Sequence, residues 1–270
     1  MRKGGGTVKV SVIIPAWGDT PYLDAAVASV KAQDFGDVEI VVAAPPPDGP
    51  QTTIAARMAG LAKSTGDWLM FCDADDWVDP RAVSKMAEAA VGDVDVVCCG
   101  LMREHPDGSR TVKPFDRKGP SDTYNAVVNK LIRRELLEGL KLDYDVMLGE
   151  DLMMTAQALA RARRVAVVDG AFYHYRENPS SVTHRQDGGR RVRDLARVGA
   201  LLRKALPNPK YDDFHDRITR DAMLLWIRHR VGDRAVWREL RGRLKGGLLA
   251  DPRHGLIKKG ALFCASCLFD

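Results

Sequence analysis

The chain has 270 residues and a mass of 29.8 kDa, with 45% hydrophobic and 29% charged residues and a net charge of +5. That is ample for a buried core and ordinary for a soluble globular chain of one or two domains, which excludes disordered, collagen-like and disulfide-scaffold classes. No stretch reaches the roughly 18–20 uncharged apolar residues of a membrane-spanning helix, and Met1-Arg2-Lys3 leads into no apolar signal core, so a cytosolic location is expected.

In chain order, Val8–Ile14 is a β-branched run ending at Pro15 and predicts a first strand. Thr20-Pro21 reads as an N-cap followed by Pro at the first helical position. Leu23, Val27 and Val30 then mark one apolar helix face running to about Gln33. Val38–Ala43 predicts a second strand, stopped by Pro45-Pro46-Pro47, and Ile54, Met58 and Leu61 a second helix face. Trp68–Cys72 predicts a third strand, Asp79-Pro80 the opening of a third helix, and Val94–Cys99 a fourth strand. Strands separated by single helices mean βαβ units, hence a mainly parallel sheet with helices on both faces. In such sheets ligands bind beyond the carboxyl ends of the strands. The stretches to inspect are therefore Pro15–Asp19, Ala43–Asp48 and Asp73–Asp76.

Beyond residue 100 the alternation stops. Glu104–Lys118 is polar and reads as a hairpin or loop. Helical patterns are expected around Tyr124–Leu140 and Asp151–Arg163, with strand-like runs at Val165–Val168 and Phe172–Tyr175. From Arg190 the chain reads as helical and basic. Residues 1–185 carry 22 Lys and Arg against 26 Asp and Glu, a balance of −4, whereas residues 186–270 carry 19 against 10, a balance of +9. A boundary is thus expected near Gly188-Gly189, giving a domain over 1–187 and a basic helical region over 188–270. Cys72, Cys98 and Cys99 fall in apolar runs and read as small core residues. Cys264 and Cys267 form a lone C-x-x-C with no second pair, which favours a plain structural reading over zinc or redox chemistry.

The sharpest chemical signal is Asp73-Ala74-Asp75-Asp76, three carboxylates at the end of an apolar strand. Like charges this close raise each other's pKa unless a cation is present. A hard divalent ion, Mn²⁺ or Mg²⁺, relieves the repulsion and bridges diphosphate oxygens. The alternative is a solvated acidic turn. Glu150-Asp151 opens the next helical pattern, where carboxylates also serve as ordinary caps.

Six stretches in order carry a resemblance: V-S-V-I-I-P-A-W (Val10–Trp17), A-R-M-A-G-L-A (Ala56–Ala62), G-D-W-L-M-F-C-D-A-D-D-W (Gly66–Trp77), N-K-L-I-R-R (Asn129–Arg134), G-E-D-L (Gly149–Leu152) and F-Y-H-Y-R-E-N-P-S-S-V-T (Phe172–Thr183). Together they cover roughly residues 8–185. With them the chain resembles a family 2 glycosyltransferase of bacterial cell-envelope type. The fold that implies is GT-A, a Rossmann-like α/β nucleotide-diphospho-sugar transferase, here with a helical C-terminal extension. The resemblance implies an inverting transfer from a nucleotide-diphosphate sugar, a UDP-sugar first, to a hydroxyl of a glycan or lipid-linked acceptor. It also implies roles at matching positions. Pro15, Ala16 and Trp17 line the base pocket, where Trp17 either stacks on the base or packs its own loop. Arg57 lies near the donor or makes a helix-surface ion pair. Asp73 contacts the ribose, Asp75 holds the metal, and Ala74 lies between them on the donor side. Asp151 is the general base, and His184 completes the metal or phosphate site or is simply a loop histidine.

The chain also departs from that pattern. Where the family has an Asp-Asp-Gly-Ser segment after the second strand, this sequence has Ala43-Ala44-Pro45-Pro46-Pro47-Asp48-Gly49, and Met58 replaces an Asn. Both changes lie on the donor side. They keep a second reading open, a non-catalytic nucleotide-sugar or glycan-binding module on the same fold. A sugar-phosphate nucleotidyltransferase would want a Gly-rich, basic loop after the first strand, which Pro15–Gly18 does not offer. In the basic region, Leu224, Ile227, Val231, Val236, Leu240 and Leu244 recur at helical spacing among Arg228, Arg230, Arg234, Arg238, Arg241, Arg243 and Lys245. Such a pattern suits a helix lying on an anionic membrane surface, or one packed on the rest of the chain. No nucleic-acid motif accompanies the charge, so nucleic acid is not expected as a partner.

Overall fold

The computed structural model describes residues 8–18, 20–113, 126–178, 187–244 and 262. Contacts divide the chain into two compact units, one of Met1–Leu140 with Met154–Pro179 and the other of Lys141–Met153 with Ser180–Asp270.

The first unit is built on an eight-stranded sheet. Its strands are β1 (Val10–Pro15), β2 (Val38–Ala43), β3 (Trp68–Phe71), β4 (Trp77–Val78), β5 (Val94–Glu104), β6 (Arg110–Lys113), β7 (Lys130–Arg133) and β8 (Arg164–Arg176). They lie in the order β2-β1-β3-β7-β5-β8-β4, with β6 paired to β5. The helices α1 (Leu23–Lys31), α2 (Thr53–Lys63) and α3 (Ala82–Ala89) follow β1, β2 and β4 along the chain. Strands β1, β2 and β3 are parallel, β7 is antiparallel to β3 and to β5, and β5 is parallel to β8. Five strands therefore share one direction, as the βαβ pattern implies, and β7, β4 and β6 oppose them.

Register decides where the site lies. Pro15 is level with Ala43 and Ile13 with Phe71, so the loops leaving β1, β2 and β3 issue from one edge. A backbone bond from Ala16 N–H to the Ala43 carbonyl (2.9 Å) ties the first two together just beyond the strands. Helix α2 comes close to the sheet because Gly60 has no side chain: a Cβ there would meet Ile13 Cγ2 at 2.3 Å. Cys72, Cys98 and Cys99 are buried and free, as core residues. Burial pushes the thiols of Cys98 and Cys99 up to about 11 and about 12, which keeps them protonated. Cys264 and Cys267 lie outside the described residues.

Three expectations need correction. Lys130–Arg133, expected within a helix, is the strand β7. It is inserted between β3 and β5, and a four-residue stretch with two apolar residues between charged ones is too short for a period that distinguishes strand from helix. Thr20-Pro21 does not cap α1: the Thr20 carbonyl accepts from Leu23 N–H (3.0 Å) in a turn, and the helix starts two residues past Pro21. The runs Val165–Val168 and Phe172–Tyr175 form one strand, β8, pivoting at Gly170. Gly170 has φ +126°, where an added Cβ would also meet the Phe172 ring at 2.7 Å, and the register against β5 shifts there.

Helix α4 (Glu150–Arg161) begins among residues of the second unit and continues into those of the first. The second unit also contains α5 (Gly188–Ala205), α6 (Asp212–Arg228) and α7 (Arg234–Gly242). Asp187 caps α5 by accepting from Arg190 N–H, and Asp233 caps α7 by accepting from Ala235 and Val236 N–H. Val192, Ala222, Met223, Trp226, Trp237, Leu240 and Leu262 form its core. The Trp226 and Trp237 rings sit 5.1 Å apart, tilted by 50°. Leu224, Ile227, Val231, Val236 and Leu244 pack against that core. The apolar stripe expected at a lipid surface is therefore turned into the unit's own interior, and Arg228, Arg230, Arg234, Arg238 and Arg241 are exposed.

Candidate active site

Strand β3 ends in a tight turn. Asp76 N–H donates to the Asp73 carbonyl (3.0 Å), and the chain enters β4 at Trp77. The turn is thus anchored at both ends: β3 pairs with β1, and β4 pairs with β8 through Trp77–His174 and Val78–Tyr173. The Trp77 ring stacks on His174 at 3.5 Å.

The three carboxylates of this turn differ in their surroundings. Asp73 pairs with Arg57 of α2 at 2.8 Å, with the guanidinium 1% exposed and the carboxylate 30%. Arg57 is therefore not on the helix surface. It lies beneath the turn, 5.9 Å from the Phe71 ring centroid, and desolvation is offset by the charge it faces. Asp75 is partly exposed, and its carboxylate accepts from the Asn178 side chain. Burial first and the Asp73 charge second raise its pKa. Asp76 is buried. Its Oδ2 accepts from the Tyr173 hydroxyl at 2.5 Å and its Oδ1 from Arg176 N–H at 2.8 Å. Burial, then the charges of Asp73 and Asp75, push its carboxyl well above the usual range. Ala74 is partly exposed within the turn.

These positions do not gather into a ready three-ligand cage: no group of three or more His, Cys, Asp or Glu suited to a metal occurs among the described residues. The donor set still fits a hard divalent ion. Mg²⁺-like ions take one or two carboxylates and fill their remaining positions with water and substrate phosphate. Asp75, raised by burial and by the neighbouring Asp73 charge, is the carboxylate a cation would relieve. His184 lies outside the described residues.

Pro15 and Ala16 are buried at the end of β1, and Trp17 is partly exposed beside Gly18, which has φ +68°. The loop after β2 is closed by Gly49 N–H donating to the Pro46 carbonyl and by Gln51 Nε2 donating to the Pro46 and Gly49 carbonyls, and Asp48 is exposed on it. Glu150 and Asp151 occupy the first turn of α4, both partly exposed, directly after Gly149 with φ +86°.

The sequence reading missed Tyr173, Arg176, Asn178 and the inward role of Asp76. Arg176 stacks over Tyr22 at 4.2 Å, linking the end of β8 to the start of α1. One signal was available: Tyr173 carries a hydroxyl in a strand-like run, and a buried polar group needs a partner.

Parallel strand ends carrying a tryptophan loop, a proline loop and an acidic turn give the architecture of the GT-A fold. Solved structures agree on the fold. Staphylococcus aureus TarS 1–349 superposes with a TM-score of 0.62 at 14% identity, over 87% of this chain and 80% of that one. The same fragment in complex with UDP-GlcNAc gives 0.63. The Pyrobaculum calidifontis mannosyltransferase PcManGT, solved with GDP-Man and Mn²⁺, gives 0.50 at 17% identity, over 98% of this chain and 81% of that one.

Residues 49–147 match the sequence model of glycosyl transferase family 2. Among curated proteins, the uncharacterized glycosyltransferase EpsJ of Bacillus subtilis (strain 168) is 27% identical, over 64% of this chain and 62% of EpsJ. The succinoglycan biosynthesis protein ExoO of Rhizobium meliloti (strain 1021) is 29% identical, over 66% of this chain and 64% of ExoO. The chain thus spans less than two thirds of the length of these relatives.

Proposed function

We propose that the chain transfers a sugar, with inversion, from a nucleoside-diphosphate donor (UDP first) to a hydroxyl of a glycan or lipid-linked acceptor of the cell envelope. The observation that carries this reading is the acidic turn at the common edge of β1, β2 and β3, with Asp75 raised by burial and by Asp73. Trp17 offers an aromatic face for the base, and the Asp73 carboxylate, oriented by Arg57, accepts a ribose hydroxyl. Asp75 holds Mn²⁺ or Mg²⁺, with His184 as a second contact. Bound there, the ion neutralises charge on the leaving diphosphate. Asp151 takes the proton of the acceptor hydroxyl as its oxygen bonds to the anomeric carbon. The bond from that carbon to the diphosphate oxygen breaks, and its electron pair leaves on the diphosphate.

The relatives support the substrate class, since TarS 1–349 was solved with UDP-GlcNAc and ExoO is named for succinoglycan biosynthesis. The proposal extends to location: the protein is cytoplasmic, and the exposed arginines of α6 and α7 hold it to an anionic leaflet by charge rather than insertion. No helix among the described residues is long and apolar enough to cross a membrane.

Calorimetry with UDP and Mn²⁺, beside an assay of donor hydrolysis and transfer, tests the reading. Binding with turnover is expected. Binding without turnover would favour the non-catalytic module, for which the altered loop at Ala43–Asp48 and Met58 give a specific reason.

A further inference from the structure

The acidic turn is held by one phenol. The Tyr173 side chain is fully buried, and its hydroxyl makes two bonds at once. It accepts from Asp73 N–H at 3.1 Å and donates to Asp76 Oδ2 at 2.5 Å. A phenol has a single proton to donate, so this pattern uses the donor on Asp76 and a lone pair on Asp73. The two bonded residues are the first and last of the turn, which also closes on itself through Asp76 N–H and the Asp73 carbonyl. Strand pairing supplies the leverage. Tyr173 is opposite Val78 on the β8–β4 ladder, so it rides on the strand paired with β4, which the chain enters as it leaves the turn. Three and five residues further along, Arg176 N–H holds the other oxygen of Asp76, and Asn178 bonds Asp75.

The geometry points to Tyr173 as a positioning residue of the donor site. Its hydroxyl holds Asp76 inward and fixes the turn so that Asp75 presents its carboxylate to the cation while Asp73 stays paired with Arg57. This inference rests on the donor reading above and adds to it the group that shapes the turn. Without the hydroxyl, the Asp73 amide and the Asp76 carboxyl both lose a buried partner, and buried polar groups without partners drive local rearrangement. Asp76 would then be held by the Arg176 N–H alone, and its Oδ2 could turn toward the cation position, crowding a second carboxylate onto the site.

The test uses the full chain and the Tyr173→Phe variant, which keeps the buried ring. Amide exchange of the 72–78 peptide, measured without any ligand, is expected to speed up, while peptides of β1 and β5 keep their protection. Affinity for UDP in the presence of Mn²⁺ is expected to fall about tenfold, the scale of one buried hydrogen bond. UDP affinity in excess EDTA is expected to stay unchanged. A Val97→Ala variant, truncated in the core of β5, controls for lost stability and should keep wild-type affinity in both conditions. Unchanged exchange at residues 72–78, or a Val97→Ala variant that loses as much affinity, overturns the role. Normal wild-type binding together with normal binding by Tyr173→Phe overturns this role alone. A wild-type chain that takes up no UDP, with or without Mn²⁺, overturns the donor reading and this role with it.

Discussion

Asp73, Asp75 and Asp76 lie within four residues of sequence, and their carboxyls meet a guanidinium, an amide and a phenol respectively. This difference decides which of them is available for chemistry, and mutations should separate them. Asp75→Ala is expected to abolish UDP binding in the presence of Mn²⁺, and excess EDTA to remove turnover in the wild type. Asp151→Asn is expected to keep fold and donor affinity while lowering turnover at least about a hundredfold, the low end for a general base. Near-normal turnover would leave Asp151 as a helix cap only.

A purely structural carboxylate makes a useful contrast. Asp95 is buried in β5, accepts from the backbone and guanidinium of Arg163, and pairs with Arg133 at 3.0 Å. The Arg163 guanidinium beside it leads the set of bonds and charges that lower its pKa against the cost of burial. An unfolded Asp binds its proton near pH 3.9. The stability Asp95 contributes is therefore fully present above about that pH, and is lost as pH falls through its lower folded value. Asp95→Asn is expected to destabilise by about 1.5–3 kcal/mol near neutral pH, the scale of a hydrogen bond to a charged group, because the Arg163 partner is largely exposed. Denaturant melts should show that difference shrinking below about pH 4.

At the scale of elements, strong periodicity was legible and inserted pieces were not. The three parallel strands and α1 to α3 follow from β-branched runs and apolar helix faces between Val10 and Ala89. Strand β7 was lost to a helical pattern because its partners, β3 and β5, come from distant sequence and pair with both its edges. The two-residue strand β4 is too short to have a period at all. The acidic turn was legible as a cluster. The separation of its carboxylates was not, because it depends on Tyr173 and Arg176, about a hundred residues later. Helix α7 gives a clear prediction of its own. Trp237 is fully buried against Trp226, so Trp237→Ala should cost about 3–5 kcal/mol. Arg238→Ala, on the exposed side, should stay within about 0.5 kcal/mol. Chemical denaturation of both variants checks the pair.

Across the whole molecule, acidic and basic residues are segregated, with a balance of −4 over residues 1–185 and +9 over residues 186–270. The apolar stripe of α6 and α7 is occupied by the second unit's core, so the attachment proposed above rests on the exposed arginines and is expected to be salt-sensitive. Co-sedimentation with anionic liposomes should be seen at low salt and vanish at high salt, and neutralising Arg238 and Arg241 should weaken it. A chain that stays in the supernatant at low salt would remove that part of the proposal. The central claim concerns the acidic turn, and it is tested most directly by release of UDP from a panel of UDP-sugars in the presence of Mn²⁺. Release by the wild type, lost in excess EDTA and in Asp75→Ala, is the predicted result; full release in excess EDTA, or undiminished release by Asp75→Ala, would contradict it.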